Sequence, residues 1–369
     1  SGCVLAPRAA EEQRVAVARA GAAYRGVFEE RNLPVLPAAP TRRDVVQRAL
    51  AANGDVEAAY FDWAAAVHRI DRAGAYPNTA FSLDVSRALS GRGSAFDRTS
   101  LTLGFDPMEN LAFPTKVYQA AKVATADAAA AEQRLVAVRF DLQRRVLAAW
   151  TDYAAGAERL RIAHEVLGVA ELDQRTAAAR VASGAPTTEI LRAETTRQRT
   201  ADEVATLTAT LTGDRARVNA LLARAPQAKL TAPASLEAPR IIPSDDAWLV
   251  SVAAEHDPTL AALVHEVTGR RNALALARQQ YIPDFNPFVS TEGAAAQLAG
   301  MVISIPTLLR EVGAQIRESR AALSAAIARR RQVGADRAAA LVAALLMVRD
   351  NARRLALIDG PLRQLATDM

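Results

Sequence analysis

Residues 277–288 read ARQQYIPDFNPF, and their habit changes halfway. An alanine- and glutamine-rich run reaches Tyr281-Ile282-Pro283 and gives way to alternating aromatic, polar and proline residues. The first half has helical composition; the second has the period-two pattern of a strand. The change occurs once more. In "RAGAYPNTAFSLDVS", residues 72–86, a helical run meets Tyr76-Pro77, and then Phe81, Leu83 and Val85 alternate with Ser82, Asp84 and Ser86.

The surroundings of the two sites match as well. "NGDVEAA" from Asn53 precedes the first and "DPTLAAL" from Asp257 the second, 204 residues apart, while Pro77 and Pro283 are separated by 206. A nearly constant offset marks an internal repeat. Each copy continues through a loop to a second strand, "TSLTLGF" or "GMVISI", and then to a proline that opens a very long helix. Those openings are "FPTKVYQAAK" from Phe113 and "SIPTLLREVGAQI" from Ser304. Proline suits a first helical turn, where its missing N–H is not needed. The expected strands are 79–86, 99–105, 284–290 and 300–305. Four strands cannot close a membrane barrel alone, and an open sheet in lipid would leave unpaired edges.

The long helix of copy one runs from Lys116 to about Val181, roughly 100 Å at 1.5 Å per residue. Its larger apolar residues fall at Leu135, Val138, Leu142, Val146, Trp150, Tyr153, Ala157 and Leu160. Their steps of three and four mix seven- and eleven-residue periods, which predicts a nearly straight helix. Ser183-Gly184-Ala185-Pro186 breaks it, and a return helix follows from about Thr187 to Arg224. The fold class is mainly α with a small β part: duplicated helix–strand–strand–long helix units, with a helical hairpin at 116–224. Residues 1–40 read as an extended tether, 41–240 as the first repeat and 241–369 as the second, with its long helix from 307. Thr41 and Asp44 have the spacing of a capping box.

Composition agrees. Half of the 369 residues are apolar but only 5% are aromatic, and much of the rest is alanine. Alanine favours helices and fills a thick core poorly, so long, closely packed helices are expected. The 45 basic and 40 acidic residues are interspersed, as on solvated helix faces. Arg329-Arg330-Arg331 lies among alanines without aromatics, which argues against nucleic-acid binding. No apolar run is long enough for a transmembrane helix.

No catalytic or metal constellation emerges. His68, His164, His256 and His265 are scattered, and the last two are nine apart rather than the three or four that share a helical face. The four methionines do not cluster. "SGRGSAF", residues 90–96, opens no helix and offers no phosphate site; it reads as a loop between strands. No cofactor or enzyme activity is expected. The single cysteine, Cys3 in "SGC", cannot form an internal disulfide; it reads either as an arbitrary thiol or as the acylated first residue of a bacterial lipoprotein.

Taken together, "NGDVEAAYFDWAAAVHRIDRAGAYP", "FPTK", "SGAPTTEILRAE", "DPTLAAL", "RQQYIPDF" and "SIPTLLREVGAQIRESRAAL" resemble the TolC-like outer-membrane efflux factors, over nearly the whole chain. That resemblance implies a homotrimer in which three chains each give four strands to a twelve-stranded outer-membrane β-barrel, continued by a periplasmic α-barrel. It implies lipid anchoring at Cys3 and a water–lipid boundary at Tyr76, Pro77, Phe113, Pro114, Tyr281, Pro283 and Pro306. It further implies that the hairpin tip, Ser183, Gly184, Ala185, Pro186, Thr187 and Glu189, meets a periplasmic adaptor protein and an inner-membrane efflux pump. Ala185-Pro186 departs from the larger apolar residues usual there. The implied function is the passive exit duct of a tripartite efflux system in the outer membrane of a Gram-negative bacterium. The alternatives are a periplasmic adaptor and a non-membrane helical scaffold. From Pro114 to Arg224 copy one has 110 further residues, whereas copy two has 63 from Pro306 to Met369. The second hairpin tip and the last return helix of the family are therefore expected to be missing from this sequence.

Overall fold

Two caps 204 residues apart make the same hydrogen bond in the computed structural model. Asn53 Oδ1 accepts from the N–H of Asp55 at 2.9 Å, and Asp257 Oδ1 accepts from the N–H of Thr259 at 2.7 Å. A second pair of equivalents lies 192 residues apart. Arg145 reaches Asp55 Oδ2 at 2.9 Å, and Arg337 reaches Thr259 Oγ1 at 3.1 Å. The repeat is thus written in side-chain bonds as well as in sequence.

The structure describes residues 5–76, 81–89, 94, 96, 98–105, 111–233, 242–243, 245–292, 296–305 and 309–364. The chain divides into two compact units: Ser1–Ala22, Tyr60–Leu135 and Pro243–Met369 form one, and Ala23–Ala59 with Val136–Ile242 form the other. These units do not coincide with the expected blocks 41–240 and 241–369, because single helices run from one unit into the next.

The first unit carries the sheet. Its strands β1 (Phe81–Arg87), β2 (Thr99–Phe105), β3 (Asp284–Glu292) and β4 (Ala296–Ser304) pair antiparallel in that order. Four bounds differ from expectation by one to four residues (the ends of β1, β3 and β4 and the start of β4), and positions 79 and 80 lie outside the described residues. Pro287 sits in β3 without costing a ladder bond on the β2 side. The β2–β3 pairing ends at Gly104↔Phe288, just before Pro287 is reached.

The expected tether needs correction. Residues Arg8–Ala20 form helix α1, with Pro7 at its N-cap, and only the proline-bearing residues after about 25 remain largely extended. RAAEEQRVAVARA consists mostly of good helix formers, and Ala10 and Val17 are buried. Further contacts tie α1 to helix α3 (Gly54–Gly74). The Tyr60 hydroxyl donates to Val17 O at 3.4 Å, Trp63 Nε1 to Gln13 Oε1 at 2.8 Å, and Arg14 pairs with Asp71.

In the same unit the first part of α4 (Pro114–Ala182) lies against α7 (Pro258–Gln279). Gln119 Nε2 donates to Asn272 O at 3.0 Å, and Asn272 Nδ2 returns to Lys122 O at 3.3 Å. A Cβ on Gly269 would meet Asp127 Oδ1 at 3.2 Å and Ala126 Cβ at 3.5 Å, so the helices close on small residues. Helices α6 (Asp246–His256) and α8 (Leu309–Leu357) complete the unit, joined by Arg349–Asp246 at 2.6 Å.

The second unit holds α2 (Arg42–Ala52), the later part of α4 and α5 (Thr187–Leu221). The capping box is present: Thr41 Oγ1 accepts from Asp44 N, and Asp44 Oδ2 accepts from Thr41 N at 2.9 Å. The Thr41 hydroxyl also donates to Asp44 Oδ2 at 2.7 Å, and that bond first, then the one from Thr41 N, holds the Asp44 carboxyl below its ordinary range. The amide of Asn53 also donates to Leu221 O at 3.3 Å, at the end of α5. Fully buried Asn219 organises the following turn, donating to Pro226 O at 3.1 Å and to Ala228 O at 2.9 Å.

The seam between α4 and α5 includes a series of small residues that the large apolar ones do not reveal, beside buried Val146, Trp150 and Tyr153 at the expected steps of four and three. Leu142, Ala149, Ala163, Ala170 and Ala177 are buried, and Gly156 completes their seven-residue series. On α5, Ala193 and Thr200 are buried, with Leu207 and Asp214 continuing at sevens. A Cβ on Gly156 would lie 3.2 Å from Leu211 Cδ1, and Gln174 donates to Glu194 at 2.7 Å. Both pairs centre on the Ser183-Gly184 turn, so the two helices run antiparallel in register.

Candidate functional site

Strand register sorts the sheet residues onto two faces. Leu83↔Leu103, Val85↔Leu101, Leu103↔Val289, Pro287↔Met301 and Phe285↔Ile303 are cross-strand neighbours, so these side chains share one face. Most of them are open: Leu83 is 60% exposed, Val85 63% and Met301 57%. So many large apolar side chains on one exposed face are unusual for a water-soluble sheet. The opposite face presents Asp84↔Thr102, Ser86↔Ser100 and Thr102↔Ser290, and the two serine hydroxyls lie 2.6 Å apart.

That polar face has an apolar exception on β3 and β4. Phe288 stands opposite Gly300 on one side and opposite Gly104 on the other. A Cβ added to Gly300 would lie 2.5 Å from Phe288 Cζ, so the ring lies over the glycine. Leu298 and Val302 occupy the neighbouring rungs and are exposed.

Helix and strand meet at a polar anchor. Lys116, in the first turn of α4, is buried and its Nζ donates to Asp284 Oδ1 at 2.8 Å. The same carboxylate oxygen accepts from Phe113 N at 3.2 Å. The Phe113 ring meets Phe285 edge-on with centroids 6.3 Å apart, and Leu111 forms a β-bridge to Phe285.

At the far end of α4 the chain reverses on Gly184, whose φ is +106°. The N–H of Gly184 bonds Val181 O and the N–H of Ala185 bonds Arg180 O, both at 3.0 Å. This pair is a Schellman closure, which favours glycine at the left-handed position. Pro186 then caps α5, with Thr187 its first residue and Glu189 in its acidic first turn.

No protein-family model matches the chain, and no curated protein sequence does. Solved structures do. The outer membrane protein VceC of Vibrio cholerae is 18% identical, with 88% of this chain and 81% of that chain covered, at a TM-score of 0.67. The CmeC outer membrane channel of Campylobacter jejuni is 14% identical, with 89% and 76% covered, at 0.68. The MtrE outer membrane channel of Neisseria gonorrhoeae, solved in an open state, is 18% identical, with 89% and 80% covered, at 0.64. The chain has the outer-membrane-channel fold.

Within this channel fold the residues singled out by sequence fall into separate groups. Ser183, Gly184, Ala185, Pro186, Thr187 and Glu189 do form one turn. Phe113, Pro114 and Pro283 come together where α4 and β3 begin, and Tyr281 is exposed in the turn after α7. Tyr76 follows the end of α3, and burial pushes its hydroxyl pKa up. Cys3, Pro77 and Pro306 lie outside the described residues. Sequence reasoning missed Lys116–Asp284, whose partners are 168 residues apart, and Phe288 over Gly300. Among the described residues no group of three His, Cys, Asp or Glu could hold a metal ion, and no helix is long and apolar enough to cross a membrane.

Proposed function

We propose that the chain is the outer-membrane exit duct of a tripartite efflux system, working as a homotrimer that carries out no reaction. The carrying observation is the two-faced sheet. Leu83, Val85, Leu101, Leu103, Val289, Met301 and Ile303 would face lipid, and Asp84, Ser86, Ser100, Thr102 and Ser290 would face a water-filled bore. Nine-residue β3 and β4 would each reach roughly 30 Å at about 3.4 Å per residue, enough for the apolar band of such barrels. Among the described residues β1 and β4 are the outer strands of the sheet order, and joining three chains edge to edge would pair both edges.

The similarity to VceC, CmeC and MtrE supports this reading over an adaptor or a soluble scaffold. Exposed Ile162, Val166 and Val169, spaced four and three along α4, would pack against a neighbouring helix of the assembled tunnel. The Gly184 turn would dock a periplasmic adaptor that links the duct to an inner-membrane pump. Cys3 would carry the lipid anchor, and Tyr76, Phe113 and Tyr281 would mark the membrane boundary.

Cell fractionation and quenching test the proposal. Heat-resistant trimers are expected in the outer membrane; a wholly soluble monomer would refute the duct. In such trimers, emission from Val289→Trp should be quenched by brominated lipid and that from Ser290→Trp by aqueous acrylamide, each measured above the native tryptophans. Equal quenching of adjacent positions would remove the two-faced barrel. The intact mass of the natural protein would report acyl groups on Cys3.

A further inference from the structure

On the face assigned to the bore, the polar pattern is broken by one aromatic ring with a glycine on each side. The register sets Phe288 between Gly104 of β2 and Gly300 of β4. A side chain at either glycine would stand beside the ring on the same face of the sheet. At Gly300 the space is already taken: a Cβ would fall 2.5 Å from Phe288 Cζ, 2.6 Å from Cε1 and 3.2 Å from Cε2. Three ring atoms within reach of one absent methyl mean that the ring lies down across the strand. A benzyl group standing upright would keep its far edge away from that site.

The orientation matters because Phe288 is large. Lying flat, the ring takes little of the space above the sheet and offers its face, continuous with exposed Leu298 and Val302 on adjacent rungs. Propped upright, it would project into that space. We propose that Phe288 and Gly300 are a bore-setting pair: the glycine lets the ring rest against the wall, leaving passage and an apolar contact for a bulky organic solute. This rests on the duct reading, in which threefold symmetry puts three such rings at one level. Gly104 belongs to the same arrangement, since it leaves the second flank of the ring free of side chain. Phe288 would touch the solute, whereas Gly104 and Gly300 are positioning residues.

The test uses the full chain, extracted from outer membranes and studied in planar bilayers with potassium chloride and with tetrabutylammonium chloride. The Gly104→Ala/Gly300→Ala variant should lose conductance, with the larger loss in the organic cation. Adding Phe288→Ala to that variant should restore both currents. Phe288→Ala alone should lower the organic-cation current relative to potassium, since it removes the apolar contact from a bore the flat ring hardly narrows, which provides a readout should the double variant fail to assemble into heat-resistant trimers. An assembled double variant that conducts like the parent, or a loss that Phe288→Ala does not relieve, would overturn the pair. So would an unchanged current ratio in Phe288→Ala. A parent protein that carries no current in either salt would instead defeat the duct reading on which the pair depends.

Discussion

The ammonium of Lys116 lies 2.8 Å from Asp284 Oδ1 and joins the first turn of α4 to the first residue of β3. Its side chain is only 6% exposed, while that of Asp284 is 30% exposed. Lys116→Met keeps the apolar stem and removes the ammonium, so it should cost about 1.5–3 kcal/mol, the range for a hydrogen bond to a charged group. Asp284→Asn should cost less, since its amide oxygen can still accept from Phe113 N. Denaturant unfolding followed by helical circular dichroism checks the order; equal stability of Lys116→Met and the parent would contradict it.

Charge placed on the two sheet faces should give opposite results. Leu103→Lys should destabilise the assembled barrel by about 2–4 kcal/mol if it lies near the bilayer midplane. Thr102→Lys, one residue away on the polar face, should be tolerated. The yield of heat-resistant oligomer in outer membranes compares them, and similar yields would count against the face assignment.

At the hairpin tip, Gly184→Ala must place a side chain at φ +106°. The loss should be about 1 kcal/mol or more, and Gly184→Asn should lose less because asparagine tolerates left-handed backbone better. Hydrogen exchange of the amides at 184 and 185 is the measurement, since those two bonds close the turn.

The α4–α5 seam should resist enlargement. Ala170→Leu forces three extra carbons into a buried heptad position and should cost about 1–3 kcal/mol. Val169→Leu, on the exposed neighbour, should change the thermal midpoint of an unassembled chain little.

Acid should weaken one contact in a defined direction. The hydrogen bond from Arg31 holds the Glu57 carboxyl below its ordinary value of 4.5. Because the folded value is the lower one, this stabilisation is present above pH 4.5 and is lost as pH falls through the folded value. The stability difference between the parent and Glu57→Gln should therefore shrink on titration from pH 6 towards pH 3; a difference that stays constant would rule out the linkage.

Strands and breaks were legible in the sequence because they depend on contrast. Tyr281-Ile282-Pro283 ends one period and starts another, and Leu83, Val85, Leu101 and Leu103 stand out against serine and threonine. The large buried residues of α4, Leu135, Leu142, Val146, Trp150 and Tyr153, are traced from sequence, but Ala149, Ala163, Ala170 and Ala177 are not, because alanine also covers the other faces of α4. Helix α1 was hidden for a similar reason: its charges suggested a solvated tether, while its two buried positions, Ala10 and Val17, are small. Lys116–Asp284 and Phe288 over Gly300 need the register of distant strands and helices, which no local pattern carries.

The repeated caps at Asn53 and Asp257 have drifted apart in a way that blocks exchange. Asparagine can both accept at the start of α3 and donate to Leu221 O, whereas a carboxylate can only accept. Aspartate at 53 would set like charges together at the negative end of α5, while Asp257 faces Arg337 at 3.8 Å and gains from its charge. Ancestrally equivalent halves have thus become specialised parts, and a chimera carrying two first halves or two second halves would inherit a mismatched joint.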